Sequence, residues 1–413
     1  MNLKNKLKTL NVDIFNPYII VVLIFLFIAM AIPMQYFSNE LHPPSFQLYL
    51  FIIIGIIFFI LGVLFPKILF RISKKFKNKI IILEKIKENK LKDLDEKKLK
   101  NLKENKLKDF NEKKLKNFNL FNSYTFIELI LVAIVSIGII LQIVNFLILG
   151  GIPLFSGALK ATAATKIWLF SYIFFLIGIN LLLAKFNRKS HHVFLLIGLA
   201  LFTLTGYRTT PITILLSVFI TLFYTRKFEM KHNLLFAILI AILLIGIGFI
   251  ATKSIEWQQW RLNPIDLLSY RAGFTLNILD KATYLQGSTN GSLFYYTLTG
   301  FFESVDPRVL VGEAVIGKNH SITSTIFGPA ILDFGILAMT IQMFIIGFIL
   351  KLLHTLQKHF KGIATGIYAI ILAQTIVWIE TGPTDIVVWI FYLIGIFTIL
   401  YYFYKLQPSF EEN

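Results

Sequence analysis

The chain has 413 residues, 56% of them hydrophobic, with 41 Phe and a net charge of +18, and its mean hydropathy is +0.71. A soluble domain of this size could not hide so much apolar surface. The absence of cysteine excludes disulfides, thiolate metal sites and cysteine nucleophiles.

Runs of about 20 apolar residues cross a ~30 Å hydrocarbon core as helix. The first, Tyr18–Phe37, follows Lys4, Lys6 and Lys8. It is too long for a signal-peptide core and more spans follow, so it reads as a retained anchor. Further spans are expected near 46–66, 124–149, 167–184, 193–207, 211–225, 234–252, 322–350, 363–380 and 386–404. Residues 67–118 carry 19 Lys/Arg against 8 Asp/Glu, and the remaining positive excess lies mostly in short connections. This is the positive-inside pattern of a membrane protein, not a nucleic-acid groove. Lys185, Arg188, Lys189, Arg226, Lys227, Lys231, Lys351, Lys358 and Lys361 all fall on one side when the spans alternate. The expectation is ten spans in the plasma membrane with both termini cytoplasmic. The chain then divides into an N-terminal helix pair (1–66), a basic cytoplasmic insert (67–122), central membrane helices (123–252), an outer loop (253–321) and C-terminal membrane helices (322–413).

The insert contains a tandem repeat: Lys87–Leu102 recurs as Lys103–Phe118 with 13 of 16 positions identical. Its apolar residues have a mean spacing of four and drift around a 3.6-residue helix, so no single stripe persists. It reads as a solvated tether or as a surface for anionic membrane lipids. Asp93-Leu94-Asp95 lies in this repeat and is read as chance. So is Gly246-Ile247-Gly248 with Ala251, a dinucleotide fingerprint stranded inside an apolar span.

The two mid-chain spans, 193–207 and 211–225, are short and joined by Arg208-Thr209-Thr210. That hairpin sits low in the bilayer and draws Arg208 below the outer headgroups. A cation there needs an anionic partner or reaches for lipid phosphate.

The long polar excursion 253–321 holds most of the candidate chemistry. Asn263-Pro264-Ile265-Asp266 has the form of a helix start, with a helix expected over Leu267–Gln286. Ser292–Phe302 is aromatic and expected at headgroup level. The loop offers Arg261, Arg271, Arg308, Lys318 and His320, with Glu303, Asp306, Asp333, Glu380 and Asp385 as acidic candidates. Several arginines suit a diphosphate, because guanidinium forks neutralise phosphate oxygens. A histidine or carboxylate suits proton removal from an attacking hydroxyl, and His320 is expected close to a helix N-terminus. Asp333 lies within a span, where it either pairs with an arginine or caps a broken helix. Glu380–Asp385 also reads as no more than a tight turn between helices.

On these residues the chain resembles the oligosaccharide repeat-unit polymerases, the O-antigen polymerase group. Gly206-Tyr207-Arg208-Thr209 is similar to the Gly-x-Arg element between two short mid-chain spans, and the arginine-bearing outer loop lies late in the chain. Asn319-His320-Ser321 and Leu332-Asp333-Phe334-Gly335 are similar to elements opening a late span in the related O-antigen ligases, with Ser321 where those usually carry Asn. The resemblance implies an all-α, polytopic GT-C-type membrane glycosyltransferase that uses no metal and no cofactor. Its implied substrates are polyprenyl-diphosphate-linked oligosaccharides, as both donor and acceptor. It implies that Arg208 and Arg271, with Arg261 and Arg308, hold the diphosphate, and that His320 or a carboxylate such as Asp333 activates the acceptor. A flippase or a chain-length regulator is a further conceivable partner; nucleic acid is not. The alternatives are an O-antigen-ligase-like transferase and a flippase or transporter of lipid-linked sugars.

Overall fold

The computed structural model describes residues 13–37, 41–72, 125–186, 188–226, 264–303 and 305–406. Among them every regular element is helical: α1 (Ile19–Phe37), α2 (Phe46–Ile72), α3 (Phe126–Leu149), a 3-10 turn (Pro153–Phe155), α4 (Gly157–Thr162), α5 (Lys166–Lys185), α6 (Lys189–Thr203), α7 (Thr209–Thr225), α8 (Pro264–Tyr284), α9 (Ser292–Thr299), α10 (Pro307–Ile316), α11 (Gly328–Phe360), α12 (Ile363–Thr381) and α13 (Ile386–Leu406). Seven of these (α1, α2, α3, α5, α11, α12 and α13) are long and apolar enough to cross a membrane, and α6 and α7 are shorter apolar helices. The chain is a polytopic, membrane-embedded all-α protein. The span expected over 234–252 lies outside the described residues, as does the basic insert beyond Ile72, to which α2 continues past its expected end at residue 66.

Local chemistry sets the helix ends. Thr125, Ser156 and Thr165 each accept a hydrogen bond from the backbone N–H three residues on, which starts α3, α4 and α5. Gly150 takes a left-handed conformation that ends α3. The late span begins at Gly328 rather than at residue 322, because Pro329 opens the helix at its first turn.

The helices pack by close backbone approach as much as by side-chain bulk. α2 lies along α11, α3 along α5 and α8 along α1. A Cβ added at Gly62 would meet the Phe344 carbonyl oxygen at 2.1 Å, and one at Gly347 would meet that of Phe59 at 2.3 Å. Glycine on both sides therefore lets α2 and α11 touch backbone to backbone, as small residues do between helices in lipid. α12 is the central post, packed against α5, α7, α11 and α13, with most of its residues buried.

The bundle has two chemically distinct ends. At one, Asp13 accepts from Tyr224 Oη at 2.6 Å and contacts His354 Nε2 at 2.8 Å and Lys358 Nζ at 2.6 Å. This ties the segment before α1 to the last turns of α7 and α11. Burial alone would push the Asp13 carboxyl up, but the His354, Lys358 and Tyr224 contacts outweigh it and hold it well below the usual carboxylate range. The other end gathers the arginines.

Candidate functional site

At that second end the link between α6 and α7 meets the C-terminus of α12. Gly206 sits at φ +74°, and a Cβ there would come within 3.3 Å of Leu154 Cα. Glycine thus permits both the left-handed turn and the close approach. The Leu154 N–H donates to the Leu204 carbonyl at 2.9 Å, and Tyr207 Oη donates to the Lys160 carbonyl at 2.9 Å. The short α4 is thereby pinned against the turn, and the next residue, Arg208, is aimed at α12.

Arg208 Nη2 reaches Glu380 Oε1 at 3.4 Å, and Arg271 Nε reaches the same oxygen at 2.8 Å. One carboxylate oxygen therefore gathers two guanidinium groups from segments far apart in the chain. Arg208, Arg271, Arg308 and Lys160 line a single cavity of about 170 Å³ together with Trp168, Tyr207, Thr323, Gln374, Trp378 and Asp385. Burial, then the Arg208 and Arg271 charges, pull the Lys160 ammonium below its ordinary range. Arg308 is set by the start of α10: Asp306 caps that helix by accepting the Arg308 N–H and Nε–H, each at 3.0 Å. Burial opposes charge on both partners. The Arg308 guanidinium nevertheless holds the Asp306 carboxyl below its usual range, and the fields of Asp385 and Asp306 raise Arg308 above its own.

Beside this cavity runs an apolar groove of about 560 Å³ between α9, α11 and α13, lined by residues such as Phe294, Leu337, Ile341 and Tyr392. Phe334 and Leu337 are 59% and 68% exposed along it. The wall between the two is aromatic. Trp378 of the cavity stacks on Tyr392 of the groove at 5.2 Å, and Trp389 of the groove lies 5.5 Å from Trp378.

Of the expected site residues, Arg208, Arg271 and Arg308 meet in the cavity, whereas Arg261 lies outside the described residues. His320 and Asp333 are not brought there, although Asp333 lines the adjacent groove described above. The His320 side chain is exposed and seven residues separate it from the start of α11. The late span therefore does not open at His320; the next residue, Ser321, instead donates to Asp306, the cap of α10. The His320 carbonyl lies over Gly312, where a Cβ would clash at 2.2 Å. Asp333 is 4% exposed and finds no arginine. Its oxygens accept from Thr289 Oγ1 at 2.6 Å, the Leu293 N–H at 3.0 Å and the Phe294 N–H at 2.7 Å, so it caps α9. Sequence reading missed Lys160, which falls in what looked like a plain connection between spans; the Ser156 cap before Gly157 was the available signal.

A family model described as putative O-antigen polymerase matches residues 13–392. Among curated relatives, uncharacterized protein MJ0419 of Methanocaldococcus jannaschii is 29% identical over 231 residues, covering 55% of this chain and 64% of its own length. Uncharacterized protein MJ0420 of the same organism is 28% identical over 247 residues, covering 60% of this chain and 58% of its own. The chain therefore spans somewhat under two thirds of the length of either. No solved structure matches significantly.

Proposed function

The chain belongs to the O-antigen polymerase family, and on that premise we propose that it is a membrane glycosyltransferase that polymerises oligosaccharide repeat units carried on polyprenyl diphosphate at the outer membrane face. The observation that carries this reading is the convergence of four cations from four chain segments on one small cavity beside an apolar groove. Guanidinium forks suit the oxygens of a diphosphate, and the groove suits the isoprenoid chain attached to it. Lys160, Arg208, Arg271 and Arg308 supply the positive charge that a leaving diphosphate develops against, so the reading requires no metal ion. Glu380 Oε1 stands between Arg208 and Arg271, where it keeps two like charges together for an incoming phosphate.

The test uses purified protein in lipid nanodiscs and lipid-linked repeats extracted from source cells deleted for this gene. The wild-type protein converts single repeats into a ladder, while Arg208→Ala and Arg271→Ala leave single repeats on the carrier. Normal long polymer from both variants removes these residues from the mechanism. Transfer of one glycan to a different acceptor, with no ladder, replaces polymerisation by ligation.

A further inference from the structure

We propose that Asp385 is the general base of the transfer, the group that takes the proton from the acceptor sugar's hydroxyl. This rests on the reading of the cavity as the diphosphate site. The other carboxylates around the site are already engaged. Glu380 is engaged by two arginines through one oxygen. Asp306 is engaged by Arg308 and by the Ser321 hydroxyl, 3.1 Å from its second oxygen. Asp333 spends both oxygens on the start of α9. Asp385 lines the cavity, and among the described residues its carboxylate makes no hydrogen bond and no ion pair.

Asp385 is also held in place without using that carboxylate. Gly382 turns the chain at φ +77° after its N–H donates to the Trp378 carbonyl at 3.0 Å. Trp389 Nε1 donates to the Pro383 carbonyl at 3.1 Å, and Thr384 is 4% exposed. Asp385 immediately precedes α13, where an aspartate would ordinarily cap the helix with its side chain. Here the Val388 N–H goes to the backbone carbonyl of Asp385 instead, at 3.2 Å. The turn is thus built from main-chain contacts, and the carboxylate is left facing the cavity that holds Arg208, Arg271, Arg308 and Lys160.

The step balances. The acceptor hydroxyl oxygen attacks the anomeric carbon of the donor sugar, and a new C–O bond forms. The bond between that carbon and the diphosphate oxygen breaks, and its electron pair leaves with the lipid diphosphate held by the arginines. The hydroxyl proton passes to an Asp385 carboxylate oxygen and is later released to water.

The experiment compares wild type, Asp385→Asn and Asp385→Glu in nanodiscs, each with three readouts: ladder formation from the extracted lipid-linked repeats, binding of geranylgeranyl diphosphate, and thermal melting. Asp385→Asn is expected to lower turnover by about 100-fold or more, with probe affinity and melting temperature close to wild type, and Asp385→Glu to recover part of the rate. Wild-type turnover in Asp385→Asn overturns the proposal, as does a loss that only tracks weaker probe binding or a lower melting temperature. Unchanged probe binding in Arg271→Ala instead overturns the underlying site, whatever Asp385 does. A wild-type protein that extends none of its own repeats overturns both.

Discussion

Asp333 shows how a residue's place in the sequence underdetermines its work. A carboxylate within a span needs a partner, and two kinds were open: an arginine, or exposed N–H groups at a helix end. Gly335 decides between them. It breaks α11 at φ 75°, ψ −165°, and the segment after α8 folds over the break, with the Gly287 and Thr289 N–H groups bonding to the Ile331 and Leu332 carbonyls. That fold presents the start of α9 to Asp333. Losing such a cap costs about 1–2 kcal/mol. Asp333→Ala is therefore expected to melt several degrees lower while its folded fraction binds inorganic diphosphate, a probe for the arginine cavity alone, like wild type. Asp333→Asn, which keeps an acceptor oxygen, loses less. Loss of probe binding without loss of melting temperature would return Asp333 to the site. Arg208, by contrast, was legible because a cation between two short spans has few places to go. Its partner Glu380 is 172 positions away, and no local pattern pairs residues across that distance.

Among elements, apolar length carried most of the bundle: the expected spans at 46–66, 124–149, 167–184, 363–380 and 386–404 correspond to α2, α3, α5, α12 and α13. The α10 helix was missed although it carries the same signature that exposed α8, a side-chain cap followed by proline: Asp306-Pro307 beside Asn263-Pro264. Its glycines and charges looked like loop composition. Packing partners were not legible at all, because lipid-facing and helix-facing surfaces are equally apolar and leave no contrast to read. Gly62 and Gly347 mark one such contact only once the backbones are seen together. Valine at either position must push α2 and α11 apart, which costs about 1–3 kcal/mol for an overpacked site. Gly62→Val and Gly347→Val should each lower the melting temperature, and the double variant should cost less than the sum, because both act on one gap. Strict additivity would mean that the two glycines relieve separate clashes.

For the whole molecule the decisive quantity is which end of the bundle faces the cytosol. The end opposite the cavity carries Lys185 and Arg188 at the junction of α5 and α6, Arg226 after α7, Lys358 in the last turn of α11 and Lys361 between α11 and α12. The cavity end has its own cations, but Arg208, Arg271 and Arg308 are tied to Glu380 and Asp306. Basic residues in short connections are retained on the cytoplasmic side, so the cavity should open outward, where a lipid-linked glycan would have to be presented. The chain contains no cysteine, which makes this directly measurable with single introduced thiols. Lys318→Cys, exposed in the segment after α10, is expected to react with a membrane-impermeant maleimide in intact cells. Lys361→Cys, exposed between α11 and α12, is expected to react only after permeabilisation. The opposite pattern would put the arginine cavity in the cytosol, where it would meet soluble sugar donors as readily as lipid-linked ones, and outer-face polymerisation would fall with it.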